Sequence, residues 1–294
     1  MALAAPDDVL VRPREYLNAV DDILEQRYGI TSDDTLVLTG TAEAHSTVKV
    51  ADGTHQIGTA IANSAGTWTF ATEPLTNGGH SFTAKAMDEA GNTSAASAAL
   101  AMKVDTHAPQ VGFTGLVEHW NGAVTLKGTA EASSHVTIYD GTKASPLGTV
   151  TAGADGTWKL STTELSNTIH TFKAQAVDSA GNVGSSSGVA VYGTTGNNTL
   201  TSGSGNDVLA GHGGSDTFVF AANFGKDTIT DFQSSGRAHD VVQFSASTFD
   251  SFASVLAHAA QSGQDVVISA DPNNSLTLKH TKLSDLHQSD FHFA

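Results

Sequence analysis

The chain has 294 residues, with 14 Lys and Arg against 30 Asp and Glu, a formal charge of −16, and no cysteine. That excess of negative charge argues against nucleic acid or an anionic membrane as partner and favours cation binding; without cysteine there is neither a disulfide framework nor a Cys-based zinc site. At ~100 to 200 residues per domain the length suits two or three domains, and no apolar run approaches the roughly 20 residues of a membrane helix, since the stretch around Ala98 to Val104 is short and carries Lys103.

The opening, MALAAPDDVLVRPREY, lacks a basic segment followed by an apolar core and does not read as a secretory signal peptide. Residues 14–28 place Leu17, Val20, Ile23 and Leu24 on one side of an expected helix, either packed on the domain behind it or free to bind a partner. From Leu38 the sequence then duplicates itself. LTGTAEAHSTVKVADGT recurs as LKGTAEASSHVTIYDGT from Leu126, 88 residues later, and Trp68, Phe82 and Asp88-Gly91-Asn92 find partners in Trp158, Phe172 and Asp178-Gly181-Asn182. Apolar residues alternate with polar ones at the period of a half-buried strand, as in Val48 and Val50, Val136 and Ile138, and Phe82-Ala84-Ala86 with Phe172-Ala174-Ala176. Turn pairs such as Asp52-Gly53, Ala65-Gly66, Asp140-Gly141 and Asp155-Gly156 punctuate these runs. Each copy therefore predicts a two-sheet sandwich with Trp68 or Trp158 in its core, leaving Trp120 exposed.

Gly193 to Val219 consists of three nine-residue units, GTTGNNTLT, SGSGNDVLA and GHGGSDTFV. In one frame they share Gly196, Gly205 and Gly214 at the fourth place, Asn198, Asp207 and Asp216 at the sixth, and Leu200, Leu209 and Phe218 at the eighth. This is the G-G-x-G-x-D-x-U-x pattern of a calcium-binding parallel β-roll: glycines such as Gly203, Gly205, Gly211 and Gly214 allow the tight turns, the carboxylate joins backbone carbonyls around a hard cation, and the apolar residue fills the interior. Two inserted residues after Phe220 bring Gly225, Asp227 and Ile229 into the frame as a degenerate fourth unit. With two units per turn, Asn198 faces Asp216 on one edge and Asp207 faces Asp227 on the other, so up to two calcium ions are expected. Asp231 follows as a further candidate ligand.

Downstream, Phe252, Val255, Leu256 and Ala259 have helical spacing, DVVISA and SLTLKH read as strands, and the chain closes on LSDLHQSDFHFA. The expected fold is thus all-β: two tandem β-sandwiches, residues 1–106 and 107–192, which the resemblance given next implies are immunoglobulin-like, then a short calcium-binding parallel β-roll with a small α/β C-terminal cap over 193–294.

The G-T-A-E start, D-G-T-W hairpin, A-x-D-x-A-G-N turn and the junction Val104-Asp105-Thr106-His107-Ala108-Pro109 resemble the bacterial immunoglobulin-like repeats of large secreted adhesins. Residues 193 to 294 resemble the C-terminal region of RTX proteins, which carry an uncleaved signal for a type I (ABC transporter) exporter. The first resemblance implies calcium at the joint between repeats, with Asp105, Asp33, Asp34 and Asp178 as contributors; Asp88 and Asp178 also suit turn caps that bond their own backbone. The second implies an extracellular location, the exporter complex as one partner, and a roll that stays unfolded until it meets calcium outside the cell. A cell-surface or matrix receptor is the expected second partner.

An active site is not expected. There is no H-E-x-x-H, and Gly184-Ser-Ser-Ser-Gly188 fits G-x-S-x-G only as letters, in a Ser-rich run without the strand and helix of a nucleophile elbow. The chain reads as part of an adhesin, with two alternatives: the non-catalytic tail of an extracellular hydrolase or polysaccharide-modifying enzyme, or a carbohydrate-binding module.

Overall fold

The computed structural model describes residues 10–13, 29–120, 122–141 and 145–294; the helix expected over 14–28 lies outside them. The chain divides into two compact units, Met1–Ala108 with Ser179–Asn182, and Pro109–Asp178 with Val183–Ala294.

In the first unit, β1 (Leu10–Pro13), β3 (Leu36–Thr41) and β6 (Thr67–Ala71) form one sheet, with β3 in the middle. The other runs β2 (Ile30–Thr31), β8 (Leu100–Val104), β7 (Gly78–Met87), β4 (Thr47–Asp52), β5 (His55–Ile61). The period-two pattern sends Leu36, Leu38, Val48, Val50, Phe82 and Ala84 inward around Trp68. Gly40 faces Trp68 so closely that a Cβ there would collide with the indole.

The second unit repeats this plan and then extends it. One sheet is β9 (Val111–Glu118), β10 (Ala123–Ala130) and β13 (Thr157–Glu164). The facing sheet begins with β12 (Gly148–Thr151), β11 (His135–Asp140) and β14 (His170–Val177), whose edge also carries β15 (Val183–Ser185), and reaches β16 (Ala190–Tyr192). It does not end there. β16 pairs antiparallel with β14 on one side and parallel with β18 (Val208–Ala210) on the other. The sheet continues through β20 (Lys226–Ile229), β24 (Ser275–Leu278), β23 (Asp265–Ser269) and β22 (Ala259–Ser262). The second face of the roll is β17 (Thr199–Thr201), β19 (Thr217–Phe220), β21 (Val241–Phe244) and β25 (Phe291–Phe293), all parallel.

Leu200, Leu209, Phe218 and Ile229 fill the roll, as the eighth place of each unit requires, together with Phe220, Phe224, Phe244 and Phe291. The cap consists of the β22–β24 meander and one short helix, α1 (Phe252–Ala257), N-capped by the Ser251 hydroxyl. The spacing that placed Ala259 in this helix overreaches: His258 closes it, and Ala259 opens β22.

Candidate metal centre along the edges of the roll

Two units make one turn, so each aspartate at the sixth place lies over the corresponding residue two units earlier. Asp216 Oδ1 accepts the Asn198 N–H at 2.8 Å, and Asp227 Oδ1 accepts the Asp207 N–H at 2.8 Å. The two expected pairs are therefore stacking neighbours, each joined by the upper carboxylate and the lower backbone. Both columns run beyond them. Asp207 Oδ1 accepts the N–H of Val189, and Asp240, which the nonapeptide frame misses, accepts the Asp216 N–H at 2.9 Å.

The remaining candidates shape the turns. Asp207 Oδ2 closes its own loop on the Gly203 N–H, and Asn198 does the same on the Thr194 N–H at 2.6 Å. Asp231 accepts from the N–H groups of Gly211 and His212 at 3.0 and 2.8 Å. Gly205 packs against the backbone of Ser187 and Gly188, Gly211 against the Asp216 carboxylate, and Gly214, at φ +100, against the backbone of Gly196 and Asn197. A side chain at Gly205 or Gly214 would push successive turns apart.

The carboxylates are in a costly environment. Burial pushes Asp227 up to about 8, with the Asp207 charge adding to the effect against the Asp207 N–H hydrogen bond. Burial likewise raises Asp216 to about 6, with Asp240 and Asp231 contributing repulsion. Asp207, Asp231 and Asp240 are raised by burial too. Asp227 Oδ2 and the Ser202 hydroxyl are both buried and lie beside each other, near enough for the hydroxyl to favour the ionised carboxylate slightly but without a well-formed hydrogen bond. An unpartnered buried carboxylate oxygen next to a second carboxylate fits a hard divalent cation, which favours the ionised form of both. Asp207 and Asp227 would hold it on one edge, Asp216 and Asp240 on the other. Among the described residues no three His, Asp or Glu side chains converge on one point, so a calcium shell of 6–8 oxygens would have to draw the rest from backbone carbonyls and water.

The residues named for a calcium ion between repeats are distributed differently. Asp33 Oδ1 accepts from the N–H and hydroxyl of Thr35 at 2.8 and 2.9 Å, and Asp105 accepts from Lys103 Nζ at 3.0 Å, which holds its carboxyl below the usual range. Asp34 belongs to the same unit, whereas Asp178, buried at the end of β14, belongs to the second. Trp120 is exposed, and Trp68 and Trp158 are buried. The Ser-rich string from Gly184 to Gly188 has a structural place: Gly188 is packed against the Asn206 backbone, directly beneath the first roll turns.

Fold and edge geometry define two immunoglobulin-like sandwiches and, continuous with the second, a parallel β-roll. Residues 17–106 match the bacterial Ig-like domain family, residues 116–193 the bacterial Ig domain family, and residues 192–229 the RTX calcium-binding nonapeptide repeat, the last match ending at Ile229 with the fourth unit. The chain is an RTX-repeat protein with tandem bacterial Ig-like domains. Such domains and repeats are those of secreted or surface proteins and are ordinarily non-catalytic, and no enzyme family is among the matches. No curated protein matches the chain.

Similar solved structures include the fibronectin(III)-like modules of Clostridium thermocellum CbhA, at 16% identity and TM-score 0.34, covering 52% of this chain and 82% of that one. A tetra-tandem repeat from the extending region of a large adhesion protein has 22% identity and TM-score 0.28, covering 64% of this chain and 48% of that one. The BSP domain of a biofilm-associated protein has 23% identity and TM-score 0.21, covering 52% and 26%. Among the described residues no helix is long and apolar enough to cross a membrane.

Proposed function

We propose that this chain is the calcium-dependent end of an extracellular adhesin. The two Ig-like domains act as stalk, the roll and cap as a module that folds when it meets calcium after passage through a type I exporter, and the receptor is a cell-surface or matrix component. One observation carries the calcium part: the unpartnered, buried Asp227 Oδ2, on a carboxyl pushed up to about 8 beside Asp207. Without a cation, each of these carboxylates must either take up a proton or remain charged and desolvated, and the Gly-rich turns lose much entropy on ordering. Calcium supplies positive charge that binds only the ordered form, so it shifts the equilibrium toward folding by mass action. The roll's backbone then closes through the Asp207, Asp216 and Asp227 carboxylates.

The test is hydrogen exchange on the full chain in chelator and in millimolar calcium. Amides along the columns, those of Asn198, Asp207 and Asp216, should be protected only with calcium. Equal protection in both would sink the reading. The secretion part is tested separately, by co-expressing the full chain with a type I exporter and asking whether its appearance in the medium depends on the exporter.

A further inference from the structure

The strand order of the two units differs at one edge. In the first, β2 lies parallel to β8 and closes the sheet beyond β7. That strand comes from the long segment between Pro13 and Leu36. In the second unit the matching segment is only residues 119–122, joining β9 directly to its antiparallel partner β10, too short to cross to the facing sheet and return. The corresponding edge, parallel to β16 and beyond β14, is occupied instead by β18, the second nonapeptide of the roll.

The side chains agree with this exchange. Val208 and Ala210 of β18, and Ala190 and Tyr192 of β16, belong to the sandwich core with Val124, Trp158 and Phe172. Leu209 and Val191, between them, point the other way into the roll. A polar anchor reinforces the junction: Asn167, in the loop before β14, accepts the Thr195 N–H at 3.0 Å and donates to the Thr195 hydroxyl at 3.1 Å.

We infer that the roll donates β18 to the second sandwich as its closing strand, so that calcium taken up by the roll stabilises the second Ig-like domain while the first, which has its own β2, is indifferent to it. This rests on the calcium reading above. Because coupling between two binding or folding events is reciprocal, weakening the β18 contacts inside the sandwich must also weaken calcium binding.

Hydrogen exchange on the full chain, in chelator and in millimolar calcium, tests the first half. Amides of β10, β11 and β14 should exchange at least about tenfold more slowly with calcium, and those of β3, β4 and β7 within about twofold. If β17 and β19 respond to calcium but β10, β11 and β14 do not, strand donation has no energetic consequence and the inference is overturned. If β17 and β19 are themselves indifferent, the calcium reading fails first. Val208→Ala tests the reciprocal half, since its side chain touches the sandwich core rather than the roll's interior. It should raise the calcium midpoint about tenfold, the effect of about 1.4 kcal/mol, whereas Val48→Ala in the first sandwich leaves the midpoint unchanged. Asn167→Ala removes only the polar anchor, preserves the core, and should raise the midpoint in the same direction. An unchanged midpoint in both Val208→Ala and Asn167→Ala overturns the coupling.

Discussion

Replacing Asp227 with asparagine should stabilise the roll without calcium and weaken it with calcium. In the folded roll burial pushes this carboxyl from 3.8 to about 8, so between those values the folded state binds a proton that the unfolded state has released. Stability therefore falls as pH rises across that window, by about 1.4 kcal/mol per pH unit. By pH 7 the loss reaches at most about 4 kcal/mol, from the 3.2 pH units separating 3.8 and 7. The substituted amide side chain would keep the Oδ1 acceptor used by the Asp207 N–H and place an NH2 group where Oδ2 now lacks a partner beside the Ser202 hydroxyl, with no charge to desolvate. In chelator at pH 7, exchange at the Asp207 and Thr228 amides should slow by a factor corresponding to a few kcal/mol, and the gain should vanish toward pH 4. In millimolar calcium the order reverses, because wild type gains a bound cation and the variant loses one of its two carboxylates on that edge. Exchange in chelator at pH 7 as fast in Asp227→Asn as in wild type, or an undiminished calcium response, would refute the reasoning.

Two further outcomes concern the sandwiches. Gly128→Ala would drive a Cβ into the Gly112 carbonyl and the Trp158 indole, so thermal unfolding should show the second sandwich weakened by about 1–3 kcal/mol; Gly112→Ala, with open space at its Cβ, serves as comparison. In the first sandwich, His80 Nδ1 lies 2.6 Å from Asp52 Oδ2 and Nε2 lies 2.8 Å from the Thr76 carbonyl. Burial is the largest influence and works against the charged imidazole, but the Asp52 hydrogen bond, the Thr76 carbonyl and the Asp52 charge together outweigh it and raise His80 above 6.5. The resulting stability is fully present below 6.5 and lost as pH rises through the raised value. Urea unfolding of the first sandwich should therefore weaken between pH 6 and 8, and Asp52→Asn should flatten that slope.

The duplication and the nonapeptide frame are legible because each is a repeated local demand: an inward side chain every second residue, or a tight turn, a carboxylate and an apolar plug every nine. The fourth unit at Gly225 is found despite its insertion, since Asp227-Thr228-Ile229 copies Asp216-Thr217-Phe218. Asp240 is missed because it lies 24 residues from the amide it accepts, against 18 for Asp216 and 20 for Asp227. The signal was present in Asp240-Val241-Val242, which matches Asp207-Val208-Leu209, but a loop breaks the period before it. The base of the roll was hidden for another reason. Gly188 and Val189 receive the first turns through backbone stacking and one N–H, and neither contact demands a recognisable residue type. Joining the second sandwich to the roll likewise follows from β16 pairing on both sides, a tertiary fact with no period.

That joint does leave a mark in side-chain polarity. At the ninth place of successive units, Thr201 on β17 is exposed whereas Ala210 on β18 is buried in the sandwich core. β17 alternates Thr199, Leu200, Thr201 as a strand with one wet face must, while Val208, Leu209 and Ala210 are apolar throughout, as expected of a strand covered on both faces. If the same repeat position is solvent in one unit and protein interior in the next, a lysine introduced there must be tolerated in the first and not in the second. Thr201→Lys should change thermal stability in calcium by no more than about 0.5 kcal/mol. Ala210→Lys would bury an unpaired ammonium, a change that costs several kcal/mol, and should unfold the second sandwich together with the roll. Equal tolerance of lysine at the two positions would mean that β18 has a free outer face and that the sandwich closes without it.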